Sequence, residues 1–335
     1  TMSNQVPGCP GNTTAVEVLK QTGLSGKVAI VTGGDSGLGM GMAEALAFRG
    51  ASVVIGARNM TKAMRVAENI SASTGAPVVA LELDLMSKSS VRQFVDSFLK
   101  KYTSGLHLLI NNAGIAGPSF KTADGFESVF EVDYLGHFLL TELLLPVLRS
   151  SQPSRIVNVA SGGHTTACKN ACWPEDCFKD FTYIPPPVVT NCSTAFIGAT
   201  YGTAKFLNIM HAQILAQREV GNGVEAFSIN PGFVLTDATK GFDPTKPRSK
   251  LACMKQQHPS PSLPQQACPF SPAQGAAAIA YAATSPLARP GAYYDRAIAC
   301  EEGQVVSHGF IDAMLPELYR RSLVWAGLHG KHIVV

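Results

Sequence analysis

The strongest constraint on this chain is an alternation of two periodicities across residues 28–159. Short apolar runs stand at 28–31, 52–55, 78–83, 106–110 and 155–159. Between them, at 38–48, 61–73, 90–102 and 126–148, apolar residues recur at helical spacing. Runs that are apolar throughout fit strands covered on both faces, which is the habit of a parallel sheet. Right-handed crossovers then wind helices onto both sides of it. The expected fold is therefore α/β: a Rossmann-type doubly wound parallel sheet with helices on both faces.

Beyond residue 159 the alternation breaks twice. The first break carries Cys168, Cys172, Cys177, Cys192 and the run Pro185-Pro186-Pro187. The second, after Pro231, is rich in proline and serine. Loops of this length without structure of their own are uncommon inside a compact domain. Helix is expected again at 201–218, strand at 224–229, an alanine-rich helix at 274–283, a last strand at 292–299 and a final helix at 311–328. The 335 residues thus read as a polar tail (1–25) and one Rossmann-type domain over 26–330, with insertions at about 162–198 and 232–272.

Composition excludes several classes. With 46% hydrophobic and 15% charged residues, the chain is not a disordered or fibrous sequence. A formal charge of +3 provides no electrostatic footprint for nucleic acid. The longest apolar stretch, 135–148, is interrupted by Gly136, His137, Thr141 and Glu142, so no transmembrane segment is expected. Residues 1–14 read as neither a signal peptide nor a transit peptide.

The first strand runs into Thr32-Gly33-Gly34-Asp35-Ser36-Gly37-Leu38-Gly39. Alone, such a cluster could be an ordinary tight turn. Placed between the first strand and the first helix, it suits a dinucleotide. Gly33 permits the turn, Gly37 admits the pyrophosphate, and Gly39 lets helix and strand pack closely. The helix N-terminus then meets the phosphates. NAD-binding folds usually carry a carboxylate after the second strand. Here that place reads Gly56-Ala57-Arg58-Asn59. Arg58 suits a 2′-phosphate, so NADP(H) is expected, with NAD(H) as the alternative and a surface arginine as the plain reading. Asp35 puts a negative charge near the same phosphate.

Tyr201 and Lys205 stand i,i+4 at the start of a helix and share a face. An ammonium beside a phenol favours phenolate, and the phenol can then exchange a proton with a substrate oxygen. Ser161 follows the fifth strand at its carboxyl end, where open α/β sheets bind ligands. It can orient a carbonyl oxygen, or serve only the turn that Gly162-Gly163 announces. No metal site is expected.

Together these residues resemble the short-chain dehydrogenase/reductase family, from about residue 26 to 321. Asp84-Leu85 matches the family's adenine-side pair. Asn111-Asn112-Ala113-Gly114 is similar to its structural turn beside the cofactor. Pro231-Gly232-Phe233-Val234 with Thr236 is similar to the segment that closes near the nicotinamide. Thr122-Ala-Asp-Gly-Phe-Glu127, Tyr134-Leu-Gly-His-Phe-Leu-Leu140 and Gln274-Gly-Ala-Ala-Ala resemble the retinol dehydrogenase, WW-domain oxidoreductase and protochlorophyllide reductase branch.

The resemblance implies hydride transfer between NADP(H) and a lipophilic carbonyl or alcohol, retinoid-, steroid- or terpenoid-like. Ser161, Tyr201 and Lys205 would be catalytic. It also implies a homodimer or homotetramer formed through helices 126–148 and 201–218. One position departs: the family's fourth catalytic residue is asparagine, and here it is Asp133. A carboxylate there could pair with Lys205 and oppose the tuning of Tyr201. A weakly active or inactive cofactor-binding subunit is therefore the rival reading. A protochlorophyllide-type photoreaction is a third.

All eight cysteines fall outside the expected elements or at their ends. Three explanations stand: disulfides stapling the insertions, free thiols, or a zinc site at Cys168, Cys172 and Cys177 with His164, whose spacing lacks a paired C-x2-C. Disulfides, together with the glycosylation-type triplets at Asn12, Asn59, Asn69 and Asn191, would imply a secretory or organelle lumen; free thiols would imply the cytosol. The apolar residues Phe233, Leu235, Phe242, Leu251, Met254, Leu263 and Phe270 suggest a lid over a lipophilic ligand, or a loop packed on its own core.

Overall fold

The structure is a computed structural model that describes residues 13–116, 119–166, 184–186, 194–236, 270–295 and 309–328, with side chains from 200 onward in the helix that begins at 194 and from 312 onward in the one that begins at 309. Seven strands form one sheet: β1 (Val28–Thr32), β2 (Ser52–Ala57), β3 (Val78–Glu82), β4 (Leu108–Asn111), β5 (Ser154–Val159), β6 (Val224–Asn230) and β7 (Tyr293–Asp295). Their spatial order is β3-β2-β1-β4-β5-β6-β7 and every pairing is parallel. The order reverses between β1 and β4. Open α/β sheets bind ligands outside the carboxyl ends of their strands at such a switch.

The helices are α1 (Ala15–Val18), α2 (Gly37–Phe48), α3 (Met60–Thr74), α4 (Lys88–Lys101), α5 (Ser128–Phe130), α6 (Gly136–Ser150), α7 (Thr194–Arg218), α8 (Pro272–Thr284) and α9 (Gly309–Trp325). Two apolar clusters cover the two faces of the sheet. One gathers Phe94, Phe98, Phe138, Leu207 and Leu318; the other gathers Met42, Leu46, Ile70, Phe227 and Ile279. β1 and β4 are buried on both sides, as their unbroken apolar runs required, while the edge strand β3 is largely half-buried.

Three elements depart from the sequence expectation. The helix expected over 126–148 begins at Ser128 and passes through a π-helical turn, Glu131–Leu135, before α6. Such turns are common at functional sites and leave no apolar signature in sequence. Helix α7 begins at Thr194, inside the stretch expected as insertion. Part of the expected tail is structured: Thr14 and Glu17 form a reciprocal capping box on α1, and Ala15, Leu19 and Leu24 are buried. Most of both expected insertions, and every cysteine, lie outside the described residues.

Helix α9 packs on α6 and α7. Tyr319 Oη donates to Glu142 Oε2 (2.8 Å), the Tyr134 and Ser322 hydroxyls meet at 2.7 Å, and Arg218 lies 3.7 Å from the Tyr319 ring centroid. The chain's own last helix thus covers part of α6 and α7. Among the described residues no helix is long and apolar enough to cross a membrane.

Candidate active site

The glycine turn sits at the carboxyl end of β1. Gly33 (φ 63°) and Gly37 (φ 49°) adopt the left-handed conformation that glycine tolerates. A Cβ at Gly39 would strike the Gly33 carbonyl oxygen and come within 2.5 Å of Asn112 Nδ2. The turn is therefore pressed against the Asn112 amide, which donates to Thr32 O at 2.8 Å. Ser36 makes no side-chain cap on α2, so its hydroxyl does not satisfy the first-turn N–H groups. Bare backbone and an uncapped helix N-terminus fit a pyrophosphate.

Thr236 lies against Gly37, where a Cβ would meet its methyl at 3.0 Å. Val234 and Leu38 both crowd Gly275, where a Cβ would fall 2.5 Å and 2.8 Å from them. Thr236 therefore lies against the glycine turn, while a Cβ at Gly232 would meet the Phe270 ring. The segment is clipped to Phe270: Leu235 N donates to Phe270 O (2.9 Å), and Phe270 N to Phe233 O (2.8 Å).

Arg58 stands exposed after β2. Asn59, expected beside the cofactor, is exposed and caps α3, accepting from Lys62 N at 3.0 Å. Lys62 in turn sits 3.5 Å from Asp35 Oδ2. The negative charge that threatened a 2′-phosphate is thus countered by a lysine that the sequence reading passed over. Its signal was present, since Lys62 stands one helical turn beyond Arg58. Asp84 accepts from Met86 N (3.0 Å), and the Leu85 side chain is buried in the core, which leaves its backbone for any ligand.

Behind the turn lies a buried polar relay. Thr32 Oγ1 accepts from Asn112 N and Ala113 N, both at 2.9 Å, and meets His137 Nε2 at 2.8 Å. Burial drives the His137 imidazole down to about 3, so it is neutral. Asn111 donates to Thr141 (3.0 Å) and Asn158 (2.9 Å), tying β4 to β5 and α6. Burial holds His211, close to Asn158, neutral as well, at about 3.

The π-helical turn delivers Asp133 to Lys205. Their charged atoms are 3.1 Å apart, and both side chains are almost wholly buried. Asp133 Oδ1 accepts from Ile115 N (2.8 Å), while Lys205 Nζ donates to Val159 O (3.2 Å). Gly114 makes room for the pair, since a Cβ there would fall 2.9 Å from Asp133 Oδ2 and 3.1 Å from Lys205 Nζ. Burial pushes the Asp133 carboxyl up despite Lys205's charge. For Lys205 burial works downward, but the Asp133 charge and Tyr201 outweigh it and hold the ammonium protonated.

Lys205 Nζ lies 5.4 Å from the centroid of the half-buried Tyr201 ring. Ser161 adjoins it: a Cβ at Gly163 would touch Tyr201 Cε1 at 3.2 Å and Ser161 Oγ at 3.4 Å. The structure thus brings Ser161, Tyr201, Lys205 and Asp133 into one cluster beyond the carboxyl ends of β4 and β5. Among the described residues no group of three or more His, Cys, Asp or Glu side chains is placed to hold a metal.

A family model described as short chain dehydrogenase matches residues 27–172. Retinol dehydrogenase 12 of Mus musculus is 40% identical over 219 residues, 65% of this chain and 64% of its own length. The WW domain-containing oxidoreductase of Gallus gallus is 38% identical over 225 residues, 66% of this chain and 52% of its own. The chain therefore spans less than two thirds of these relatives. An uncharacterized oxidoreductase of Schizosaccharomyces pombe is 34% identical over 311 residues, covering 89% of this chain and 84% of its own. Among solved structures, the RhlG/NADP active-site complex of Pseudomonas aeruginosa superposes with a TM-score of 0.60 at 25% identity, covering 83% of this chain and 97% of that one. Sheet order, glycine turn and these matches agree: the chain belongs to the short-chain dehydrogenase/reductase family. Within it, the chain is similar to the retinol dehydrogenases and WW domain-containing oxidoreductases.

Proposed function

We propose that this chain is an NADP(H)-dependent oxidoreductase acting on a carbonyl or alcohol of a lipophilic small molecule, within one domain. The observation that carries the reading is the grouping of Ser161, Tyr201 and Lys205 beyond the carboxyl end of β5, across from the glycine turn. When bound, the nicotinamide would supply or accept a hydride. Tyr201 Oη would hand a proton to the substrate oxygen in reduction and take it back in oxidation. Ser161 would hold that oxygen by a hydrogen bond, and Lys205 would favour the phenolate of Tyr201. The pyrophosphate would rest on Gly33, Ser36, Gly37, Leu38 and Gly39, with Asn112, Ala113 and Gly114 beside it. Arg58 with Lys62 would take the 2′-phosphate; the RhlG complex, which carries NADP, supports that preference. The similarity to retinol dehydrogenases supports a lipophilic substrate.

The Asp133–Lys205 ion pair favours a second reading, a cofactor-binding subunit with little turnover. Each unit of charge that Lys205 shares with Asp133 is unavailable to phenolate. One experiment separates the two: NADPH and NADH consumption at 340 nm with retinal, steroid and quinone panels, against Tyr201→Phe. Turnover by the wild type that Tyr201→Phe loses supports the enzyme. Tight NADPH binding without turnover of any carbonyl supports the second reading.

A further inference from the structure

We infer that His164 is a positioning residue that orients the Ser161 hydroxyl to donate a hydrogen bond to the substrate oxygen. The inference rests on the oxidoreductase reading above. His164 lies in a short 3-10 turn, Gly162–Thr166, that follows β5 directly. Two of its groups converge on one acceptor: the backbone N (3.0 Å) and ring Nδ1 (2.7 Å) both reach the Ser161 carbonyl oxygen. A carbonyl only accepts, so Nδ1 must carry the proton. The opposite tautomer would set two lone pairs against each other at 2.7 Å.

The ring is held from both sides. It stacks on Phe206 at 6.3 Å and 10°, and meets the Tyr293 ring edge-on at 5.1 Å and 72°. Tyr293 Oη lies 3.4 Å from the same Nδ1. β7 therefore buttresses the imidazole, and the imidazole fixes the backbone of Ser161.

The consequence falls on the hydroxyl. Gly163 N donates to Ser161 Oγ at 3.1 Å, which occupies an acceptor site on that oxygen. Gly162 allows this tight path, since its Cβ would press on Asn230 Nδ2 at 3.2 Å. With its backbone clamped and one of its two acceptor sites filled, the Ser161 hydroxyl is biased toward donating its proton beside Tyr201. A carbonyl oxygen gaining negative charge needs such a donor, aimed before the reaction begins. Misplacing a catalytic contact by about 1 Å can cost about a hundredfold in rate.

The test uses the full chain and the best carbonyl from the panel. His164→Ala is expected to lower kcat about tenfold to a hundredfold, with KM and NADPH affinity within about threefold. His164→Asn can set an amide N–H where Nδ1 stood and should recover most of kcat, although it lacks both ring contacts. His164→Gln, which reaches instead to the Nε2 position, should not recover it. In a Ser161→Ala background, His164→Ala should change kcat by less than about threefold, the signature of two residues acting as one unit. The inference is overturned if His164→Ala keeps at least half of wild-type kcat, if His164→Asn falls as far as His164→Ala, or if the losses at 161 and 164 multiply. If the wild type turns over no more than Tyr201→Phe, the oxidoreductase reading fails on its own. The clamp is then decided by nitrogen-15 NMR of the imidazole. A neutral His164 protonated at Nδ1 upholds it; one protonated at Nε2 overturns it.

Discussion

The two halves of the sheet solve different problems with different materials. In the half built from β1, β2 and β3, Thr32 is the one fully buried polar side chain among the described residues. Its turns are made of glycine, and its charged groups, Arg58, Asp35 and Lys62, stand at least partly in solvent. In the half around β4 to β7, burial reaches Glu131, Asp133, His137, Lys205, His211 and Glu219. A ligand of fixed shape can be held by backbone and an open helix end. Moving a proton needs groups whose charge is tuned, and burial is what tunes them. The second half therefore carries a stability cost that the first does not, and substitutions should act differently in each.

The largest contrast should come from Lys205→Met. Removing the ammonium leaves Asp133 as an unpaired buried carboxyl, which costs about 3–5 kcal/mol. Urea unfolding at pH 8 should register this as a lowered midpoint. Asp133→Asn combined with Lys205→Met should recover most of the loss, because neither charge then remains. A Lys205→Met chain as stable as the wild type would mean that the pair contributes nothing to the fold. Asp133→Asn alone should raise turnover, since Lys205 would then serve Tyr201 without a competing carboxylate.

Glu131 gives the next effect. Its carboxylate is buried, and burial, opposed by Thr122 and reinforced by the charge of Asp124, raises it from 4.5 to about 7. Between those values the folded chain holds a proton that the unfolded chain has released. Stability should therefore fall as pH rises across that window, by about 3 kcal/mol in total. Glu131→Gln should abolish this slope and be the more stable protein above pH 7. Two urea series, at pH 5 and pH 8, would measure it. An unchanged slope in the variant would place the proton elsewhere.

In the glycine half the corresponding perturbation is steric. Gly39→Ala drives a methyl into the Gly33 carbonyl and the Asn112 amide. Overpacking of this kind costs about 1–3 kcal/mol. It should appear as weaker NADPH binding in fluorescence titration, with kcat at saturating cofactor preserved. Loss of kcat without loss of binding would contradict the division between the halves.

This division also explains which features were legible in the sequence. Apolar runs and the glycine spacing follow from local rules, so the parallel sheet and the turn at Gly33–Gly39 could be read directly. Asp133 was legible as a departure from the family pattern, and its pairing with Lys205 was foreseeable. What could not be read arises from contacts distant in sequence. The π-helical turn that aims Asp133 has no periodic signature. The clamp of His164 on Ser161 depends on Tyr293, a residue 129 positions further on.

The smallest effect expected is in cofactor choice. Arg58→Ala should weaken NADPH binding about tenfold and leave NADH unchanged. A charge-assisted contact is worth about 1.5–3 kcal/mol, and solvent around an exposed arginine trims it toward the lower figure. Lys62→Ala should do somewhat more than remove a cation. It also releases Asp35, whose carboxylate sits 3.5 Å from that lysine and would then repel the 2′-phosphate without opposition. Asp35→Asn in the Lys62→Ala chain should therefore recover part of the lost NADPH affinity. Both losses should shrink in about 0.5 M salt, because screening weakens exposed charges while leaving glycine contacts intact. A salt-independent loss would mean that Arg58 acts through packing, and the charge-based preference for NADP(H) would fall with it.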